Sequence, residues 1–341
     1  RQLGRKMHVS AAASVPCGSN CIPPGQWVAG PAPDHWSWAP SRPQASVAGR
    51  WLLFLGDSRG RMAYSAAVAR ASPGKPPPGW PMHRAEKGDP CEPHLRNASR
   101  KDSWGYYNSG CQERWKGGCR DDHSGRNVRK VCALDHFSPQ TRLTYLWHSL
   151  NTRQHLASLL SRVERLMVDA GGSPDAVLIS TGLWDMQFSQ PWHTCPRMVK
   201  ALSQLRQLMP TTHIALLGFE KCPECPKNSD LECLHWGRQS RLGSLMYKGH
   251  DCGINITASL NATYLDLTTL TRTLPRIRSS PCGAVHLFGA GSEAIVSDFY
   301  ASANSGQAAS FGRPPSPRAL TPPNFTALEQ YWLPGWYRHA P

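Results

Sequence analysis

The chain has 341 residues, and its 38 lysine and arginine residues against 23 aspartate and glutamate residues give a formal net charge of +15. That length suits one α/β domain with long insertions, and the charge favours anionic partners such as an acidic polysaccharide. The basic residues are scattered and form no long run, which argues against a nucleic-acid-binding protein. No apolar run reaches the roughly 18 residues of a membrane span.

Cysteine and glycosylation signals indicate the compartment. The chain contains 12 cysteines, an even number, and most of them lie in predicted loops, where disulfide bridges usually form. N-x-[ST] sequons begin at Asn97, Asn255, Asn261 and Asn324. Together these features predict the lumen of the secretory pathway, such as the Golgi, or the extracellular space. Because the chain starts with Arg1, we expect membrane attachment only through an N-terminal anchor removed upstream.

The composition divides the chain into a central domain and two flanking segments. Residues 1–16 are polar and small and indicate a tail or stem, whereas residues 17–302 form the domain. Its lead, residues 17–48, is rich in proline, glycine and tryptophan, so we expect it to wrap the domain. The tryptophans that we expect to be buried there are Trp27, Trp36 and Trp38. Residues 303–341 are rich in proline and become aromatic at the end, which predicts a tail that docks through its aromatic side chains.

The most informative stretch is a buried strand followed at once by a helix. Residues 51–55 are continuously apolar, which predicts a strand buried on both faces, and residues 59–71 show helical spacing. Gly56, Asp57 and Ser58 form the turn between them. Such a turn exposes a serine hydroxyl beside free helix N–H groups, which suits a nucleophile with oxyanion stabilisation. The alternative is that Asp57 and Ser58 simply cap the helix.

The remaining elements alternate between helix and strand. After a long insertion with little periodicity, residues 72–140, the patterns predict strands at 142–147, 175–181, 213–219 and 264–267. Helices are predicted at 155–168, 198–209, 239–247 and 292–300. This alternation predicts an α/β fold with a mostly parallel sheet. Sites in such sheets form at the carboxyl ends of the strands, where Ser58 and the loop containing His286 would meet. The strand at 175–181 brings further residues to this edge: Thr181, Gly182, Trp184 and Asp185.

Five motifs in consistent order resemble a known family. GDSRGR at 56–61 resembles the first block of the SGNH/GDSL hydrolases. More narrowly, it is similar to the PC-esterase branch, which includes trichome-birefringence-like polysaccharide O-acetyltransferases and the sialate O-acetyltransferase domain. The tryptophan-rich lead precedes this block in the family's order, and LTYLWHS at 143–149, DAVLISTGLWD at 175–185 and HLFGAGSEAIVSDFYA at 286–301 follow it.

The resemblance implies a flavodoxin-like SGNH fold and a set of site residues. Ser58 would be the nucleophile and His286 the general base. The Ser58 backbone N–H would hold the oxyanion, together with the carried-over candidates Gly182 and Thr181. Apart from the resemblance, Arg61 and the basic surface would suit an acidic or uronate-bearing glycan. Trp184 would stack on a sugar face, unless it is buried in the core.

Two positions depart from the family pattern. The family has an acid three residues before the histidine, where this chain has Gly283, and an asparagine where this chain has Ser180. The missing acid normally orients the imidazole and stabilises its charged form. Asp266 or Asp185 would substitute, or a backbone carbonyl would orient the ring and leave a Ser–His dyad. The third alternative is that catalysis has lapsed.

Two further clusters contain residue types that can bind metal ions. Cys222 and Cys225, followed by Cys233 and His235, have zinc-like spacing, but disulfides in a secreted loop are the favoured interpretation. Residues 121–123, two aspartates and a histidine, are interpreted as a solvated polar loop rather than a divalent-ion site. We therefore expect neither a metal nor another cofactor.

The sequence as a whole predicts a luminal enzyme that moves an O-acyl group, most simply O-acetyl, to or from a polysaccharide or glycan. An acyl-Ser58 intermediate would form, and His286 would transfer the proton. Either water or a sugar hydroxyl accepts the acyl group, and the resemblance leans to transferase; the acyl donor is not indicated. The competing interpretation is a non-catalytic glycan-binding or matrix protein on the same fold, which Gly283 favours and the Ser58–His286 pair opposes.

Overall fold

The computed structural model describes residues 21, 25–29, 36–71, 106–108, 133–138, 141–147, 153–180, 194–221, 240–272 and 290–303. The strands are β1 (Gln26–Ala29), β2 (Trp36–Ala39), β3 (Arg50–Gly56), β4 (Tyr106–Asn108), β5 (Ala133–Ser138), β6 (Thr141–Trp147), β7 (Ala176–Ser180), β8 (His213–Leu217) and β9 (Thr263–Leu265). The helices are α1 (Ser58–Ala71), α2 (Arg153–Ala170), α3 (Thr194–Leu208), α4 (Arg241–Ser259), α5 (Leu267–Arg272) and α6 (Ala290–Ala303).

The main sheet has the strand order β4-β5-β6-β3-β7-β8-β9. Neighbouring strands from β6 to β9 are paired in parallel, whereas β5 is antiparallel to β6 and to β4. The predicted α/β class with a mostly parallel sheet is therefore confirmed. The chain passes from β3 to β6 on one side and then to β7 on the other, so β3 lies where the strand order reverses. In open α/β sheets, ligands bind at the carboxyl ends of the strands at such a reversal.

The strand β3 is buried because helices cover both faces of the sheet. Leu52 and Phe54 pack into a core shared with α1 and α6. Leu53 and Leu55, which point to the opposite face, pack into a core shared with α2, α3 and α4. The predicted fully buried strand and the helix that follows it are both confirmed.

The neighbouring strand β6 also buries polar side chains. Arg142 is 2% exposed, and its Cζ atom lies 4.5 Å from the ring centroid of Trp51. The Trp51 indole Nε1 donates a hydrogen bond to Thr144 Oγ1 at 2.9 Å. β6 can therefore lie inside the sheet although its sequence alternates with polar residues. Stacking and hydrogen bonding satisfy these polar side chains within the core.

The tryptophan-rich lead forms a hairpin of β1 and β2 beside α6. Trp38 is buried, Trp27 is partly buried, and their rings meet edge to face with centroids 5.1 Å apart. The Trp38 Nε1 donates to Asp298 Oδ1 of α6 at 2.7 Å. Burial is therefore confirmed for Trp38, whereas the side chain of Trp36 lies outside the described residues.

Several boundaries differ from the predicted ones. The insertion contributes β4 and β5, because β5 pairs with β6 and β4 pairs with β5, which its sequence does not signal. The helix predicted at 239–247 continues to Ser259, the helix predicted at 198–209 begins at Thr194, and the strand predicted at 264–267 ends at Leu265.

The disulfide between two described cysteines, Cys195–Cys252, joins the helices α3 and α4 rather than two loops. Across the described ranges, no helix is both long and apolar enough to cross a membrane.

We expect the Trp38–Asp298 contact to make stability depend on pH. Burial raises the pKa of Asp298 from 3.8 to about 7, and the Trp38 hydrogen bond only partly opposes this rise. The folded state therefore holds a proton that the unfolded state has lost, so the Asp298 contribution is complete below pH 3.8 and lost as the pH rises to about 7. The loss is on the order of a few kcal/mol.

Urea unfolding of wild type and Asp298→Asn between pH 4 and pH 8 measures this effect. The asparagine oxygen still accepts from Trp38 but cannot ionise, so the variant gains stability over wild type as the pH rises through this range. Glu293→Gln, which removes a half-exposed carboxylate of the same helix that pairs with Arg70, is the control for the loss of a helix carboxylate as such. Parallel pH profiles for wild type and Asp298→Asn would contradict the assignment.

Candidate functional site

The turn after β3 brings Ser58 to the carboxyl end of the sheet. Gly56 has φ +132°, a conformation that side chains rarely adopt, and a Cβ atom there would run into the Ser180 carbonyl of β7. The Asp57 N–H donates to that same carbonyl at 2.8 Å. The close approach fixes the turn against β7, and Ser58 follows directly as the first residue of α1.

Asp57 caps α1 and connects it to β7. Its side chain is 1% exposed, and Oδ1 accepts hydrogen bonds from the Arg59 N–H at 3.0 Å and from the Ser180 hydroxyl at 2.7 Å. The capping interpretation is thus confirmed for Asp57. Ser180, which stands where the resembling family has an asparagine, uses its hydroxyl hydrogen on this carboxylate.

A tyrosine supports the turn from the other side. The Tyr145 hydroxyl of β6 lies 3.1 Å from the Gly56 carbonyl and 3.2 Å from the Asp57 carbonyl, close enough to donate to either. Strands β6 and β7 therefore both hold the turn at the end of β3. Such rigid support is what a nucleophile needs, because small displacements of a reacting group are costly in rate.

Arg59 extends from α1 across the end of β7 to the end of β8. Its Nη1 donates to the Gly218 carbonyl at 3.2 Å, and its Cζ lies 5.6 Å from the Phe219 ring centroid. Its Nε is 3.8 Å from Asp57 Oδ1, an ion pair without a hydrogen bond.

Arg61, for which the sequence predicts a role in glycan binding, is also buried, at 8% exposure. A substrate contact by Arg61 stays a prediction, and Arg59 joins it as a second arginine near Ser58.

A second polar group lies at the ends of β8 and β9. Asp266 Oδ1 accepts from the Thr268 N–H at 2.8 Å and lies 3.8 Å from His250 Nδ1 of α4. The same His250 nitrogen lies 3.0 Å from the Tyr264 hydroxyl. Burial, the larger influence, lowers the pKa of His250, while the charge of Asp266 opposes the shift. Asp266 is thus a carboxylate at the expected edge that already has a histidine neighbour, His250.

The remaining predicted site residues lie outside the described residues. They are Thr181, Gly182, Trp184, Asp185, Gly283 and His286. For Ser58, the structure describes the backbone and not the side chain. The cysteine cluster at 222–235 and the acidic loop at 121–123 also lie outside. Within the described ranges, no three histidine, cysteine or acidic side chains come together in a way that could hold a metal ion.

Comparison with known proteins gives no independent identification. No protein-family model, curated protein or solved structure matches the chain. The site is therefore interpreted from its own residues: a capped turn at a strand-order reversal, a serine at a helix start, and two arginines beside it.

Proposed function

We propose that the protein moves an O-acyl group, most simply O-acetyl, to or from a polysaccharide or glycan through an acyl-Ser58 intermediate. The observation that carries this proposal is the position of Ser58. It opens α1 directly after β3, at the carboxyl end of the strand where the sheet order reverses. Counted along the chain, the five parallel strands have the order 2-1-3-4-5, which supports the flavodoxin-like SGNH fold that the motif resemblance implies.

The chemistry uses three kinds of group from the chain: the Ser58 hydroxyl, His286 and backbone N–H groups. The Ser58 hydroxyl attacks the acyl carbonyl while His286 accepts its proton, and the backbone N–H groups of Ser58, Thr181 and Gly182 stabilise the oxyanion. The alcohol of the donor ester leaves with that proton. Water or a sugar hydroxyl then attacks the acyl-serine and gives its proton to His286, which passes that proton to the departing Ser58 oxygen. Acceptance by water makes the enzyme an esterase, and acceptance by a sugar makes it a transferase.

The group that orients His286 is the open part of this mechanism, because Gly283 stands in place of the family acid. Asp266 lies at the end of β9 and is 26% exposed, so it is accessible from the sheet edge. Asp185 and a backbone carbonyl are the alternatives. Gly283 also favours a second candidate function, a glycan-binding protein without catalysis.

The proposed compartment is the secretory lumen or the extracellular space. The Cys195–Cys252 disulfide supports an oxidising environment. The sequon asparagines Asn255 and Asn261 are both exposed, which leaves them accessible to glycans. No metal or other cofactor takes part in the proposed reaction.

The proposal is tested with acetylated polysaccharides and an activated acetyl ester. The folded, oxidised protein is incubated with each acetyl donor, with and without a deacetylated glycan acceptor, and acetate and acetyl-glycan are measured. Acetate release or acetyl transfer that depends on the protein supports the proposal. Retention of glycan by a folded protein that releases and transfers no acetyl group would instead support the non-catalytic candidate.

A further inference from the structure

Arg59 is fixed in place at the carboxyl edge of the sheet. It is the residue after Ser58, and its guanidinium reaches the far end of β8, where Nη1 donates to the Gly218 carbonyl at 3.2 Å. The Phe219 ring lies beside it, with the centroid 5.6 Å from Cζ. The hydrogen bond holds Nη1 in place, and because the guanidinium is planar and rigid, it also fixes the positions of Nε and Nη2.

The opposite edge of the guanidinium lacks partners. Arg59 is 2% exposed, and neither Nε nor Nη2 has a hydrogen-bond partner in the described part of the chain. These two nitrogens carry three N–H groups. A buried donor without a partner costs about 1–3 kcal/mol, and more when it is charged, so such an edge calls for an acceptor from elsewhere.

Asp57 does not satisfy this edge. Its Oδ1 lies 3.8 Å from Arg59 Nε and already accepts from the Arg59 N–H and the Ser180 hydroxyl. Turning the carboxylate to pair with Nε and Nη2 would break these bonds and uncap α1. Asp57 Oδ2 is also without a partner in the described residues. The pair therefore offers three open donors against one open acceptor.

This excess of donors selects an acceptor-rich ligand. The N–H groups of Nε and Nη2 lie side by side on the guanidinium, in the fork geometry that binds both oxygens of a carboxylate. The α1 N-terminus next to it adds partial positive charge, which compensates for the nearby Asp57. The net charge of +15 points to the same class of partner.

We propose that the Nε/Nη2 edge of Arg59 is a carboxylate subsite that binds an acidic sugar of the uronate type beside Ser58. The subsite rests on the proposed function, since it makes the glycan that Ser58 serves an acidic one. Arg59 is then a specificity-determining residue, and its effect is on binding of the acid rather than on proton transfer.

The test measures binding in a Ser58→Ala background, where turnover does not interfere. Calorimetry compares a short oligogalacturonate with its methyl ester, which has the same sugars without the charges. We expect the acid to bind at least about tenfold more tightly than the ester, because charge-assisted hydrogen bonds to Arg59 are lost with the ester. The preference disappears in Arg59→Gln and falls in Arg59→Lys, which keeps the charge but lacks the fork. Arg70→Gln changes an arginine at the other end of α1, bound to Glu293 and Ser297, and retains the preference.

Equal binding of acid and ester would overturn the subsite, and this comparison needs no Arg59 variant to fold. A folded Arg59→Gln protein that still prefers the acid would overturn it as well, since Arg59 would then only support the turn. Labelling of the wild-type protein, which keeps both Ser58 and Arg59, with a serine-directed probe reports on Ser58 separately. Failure of the subsite with labelling retained therefore leaves acyl transfer standing, whereas loss of both removes the two proposals together.

Discussion

Ser58→Ala is expected to lower kcat/KM for acetyl transfer or hydrolysis by about 10⁴-fold or more, because the acyl-enzyme can no longer form. The helix itself should persist, since the Asp57 carboxylate and backbone provide its cap. The measurement is steady-state hydrolysis of an activated acetyl ester, followed by the same comparison on an acetylated polysaccharide.

Ser65→Ala is the matched control for this loss. Ser65 lies in the same helix, is buried, and donates to the Arg61 carbonyl at 3.1 Å, one turn earlier. Its removal should change kcat/KM by less than about threefold, because hydrogen bonds of this kind contribute little net stability. Equal activity in wild type and Ser58→Ala would show that another group performs the chemistry.

Gly56→Ala is expected to destabilise the fold by on the order of 3 kcal/mol or more, and to disturb the site at the same time. At φ +132° an L side chain is strained, and the added methyl would meet the Ser180 carbonyl, a backbone atom that cannot move aside alone. To avoid this collision, β3 and β7 would have to separate at the point where Asp57 is hydrogen-bonded to Ser180. Urea unfolding measures the free-energy change.

Alanine substitutions at two other glycines distinguish the cost of backbone strain from the cost of the collision at Gly56. Gly172 has open space around it and no positive φ, so Gly172→Ala should stay within about 0.5 kcal/mol of wild type. Gly49 has φ +73° but nothing nearby, so Gly49→Ala should cost about 1–2 kcal/mol from strain alone. If Gly56→Ala were as stable as Gly49→Ala, the strands β3 and β7 would not be close enough for the added methyl to collide with the Ser180 carbonyl.

The sequence predicts the centre of the fold well because its signals there are local. A continuous apolar run needs cover on both faces, and β3 has it from helices on each side. The turn at Gly56 and Asp57 also carries its own chemistry, a glycine conformation and a capping carboxylate. By contrast, β5 forms through pairing with β6 and β4 through pairing with β5, and no pattern within the insertion signals this.

The site is less predictable because its contacts join distant segments. Arg59 and Arg61 are equally basic in the sequence, and only the fold shows that Arg59 reaches Gly218. The His250–Asp266 contact likewise joins α4 to the end of β9, and nothing local marks His250 as a polar neighbour of the sheet edge. The helix predicted from the sequence ends at residue 247, so its spacing does not include His250.

The most direct measurement is labelling of the purified, oxidised protein with a fluorophosphonate probe, with the modified peptide identified by mass spectrometry. An activated serine displaces fluoride from the probe and keeps the phosphonyl group. We predict that Ser58 is labelled in wild type, and that labelling is lost in Ser58→Ala and in His286→Ala despite Gly283. A folded wild-type protein that takes up no label at Ser58 would contradict acyl transfer through this serine.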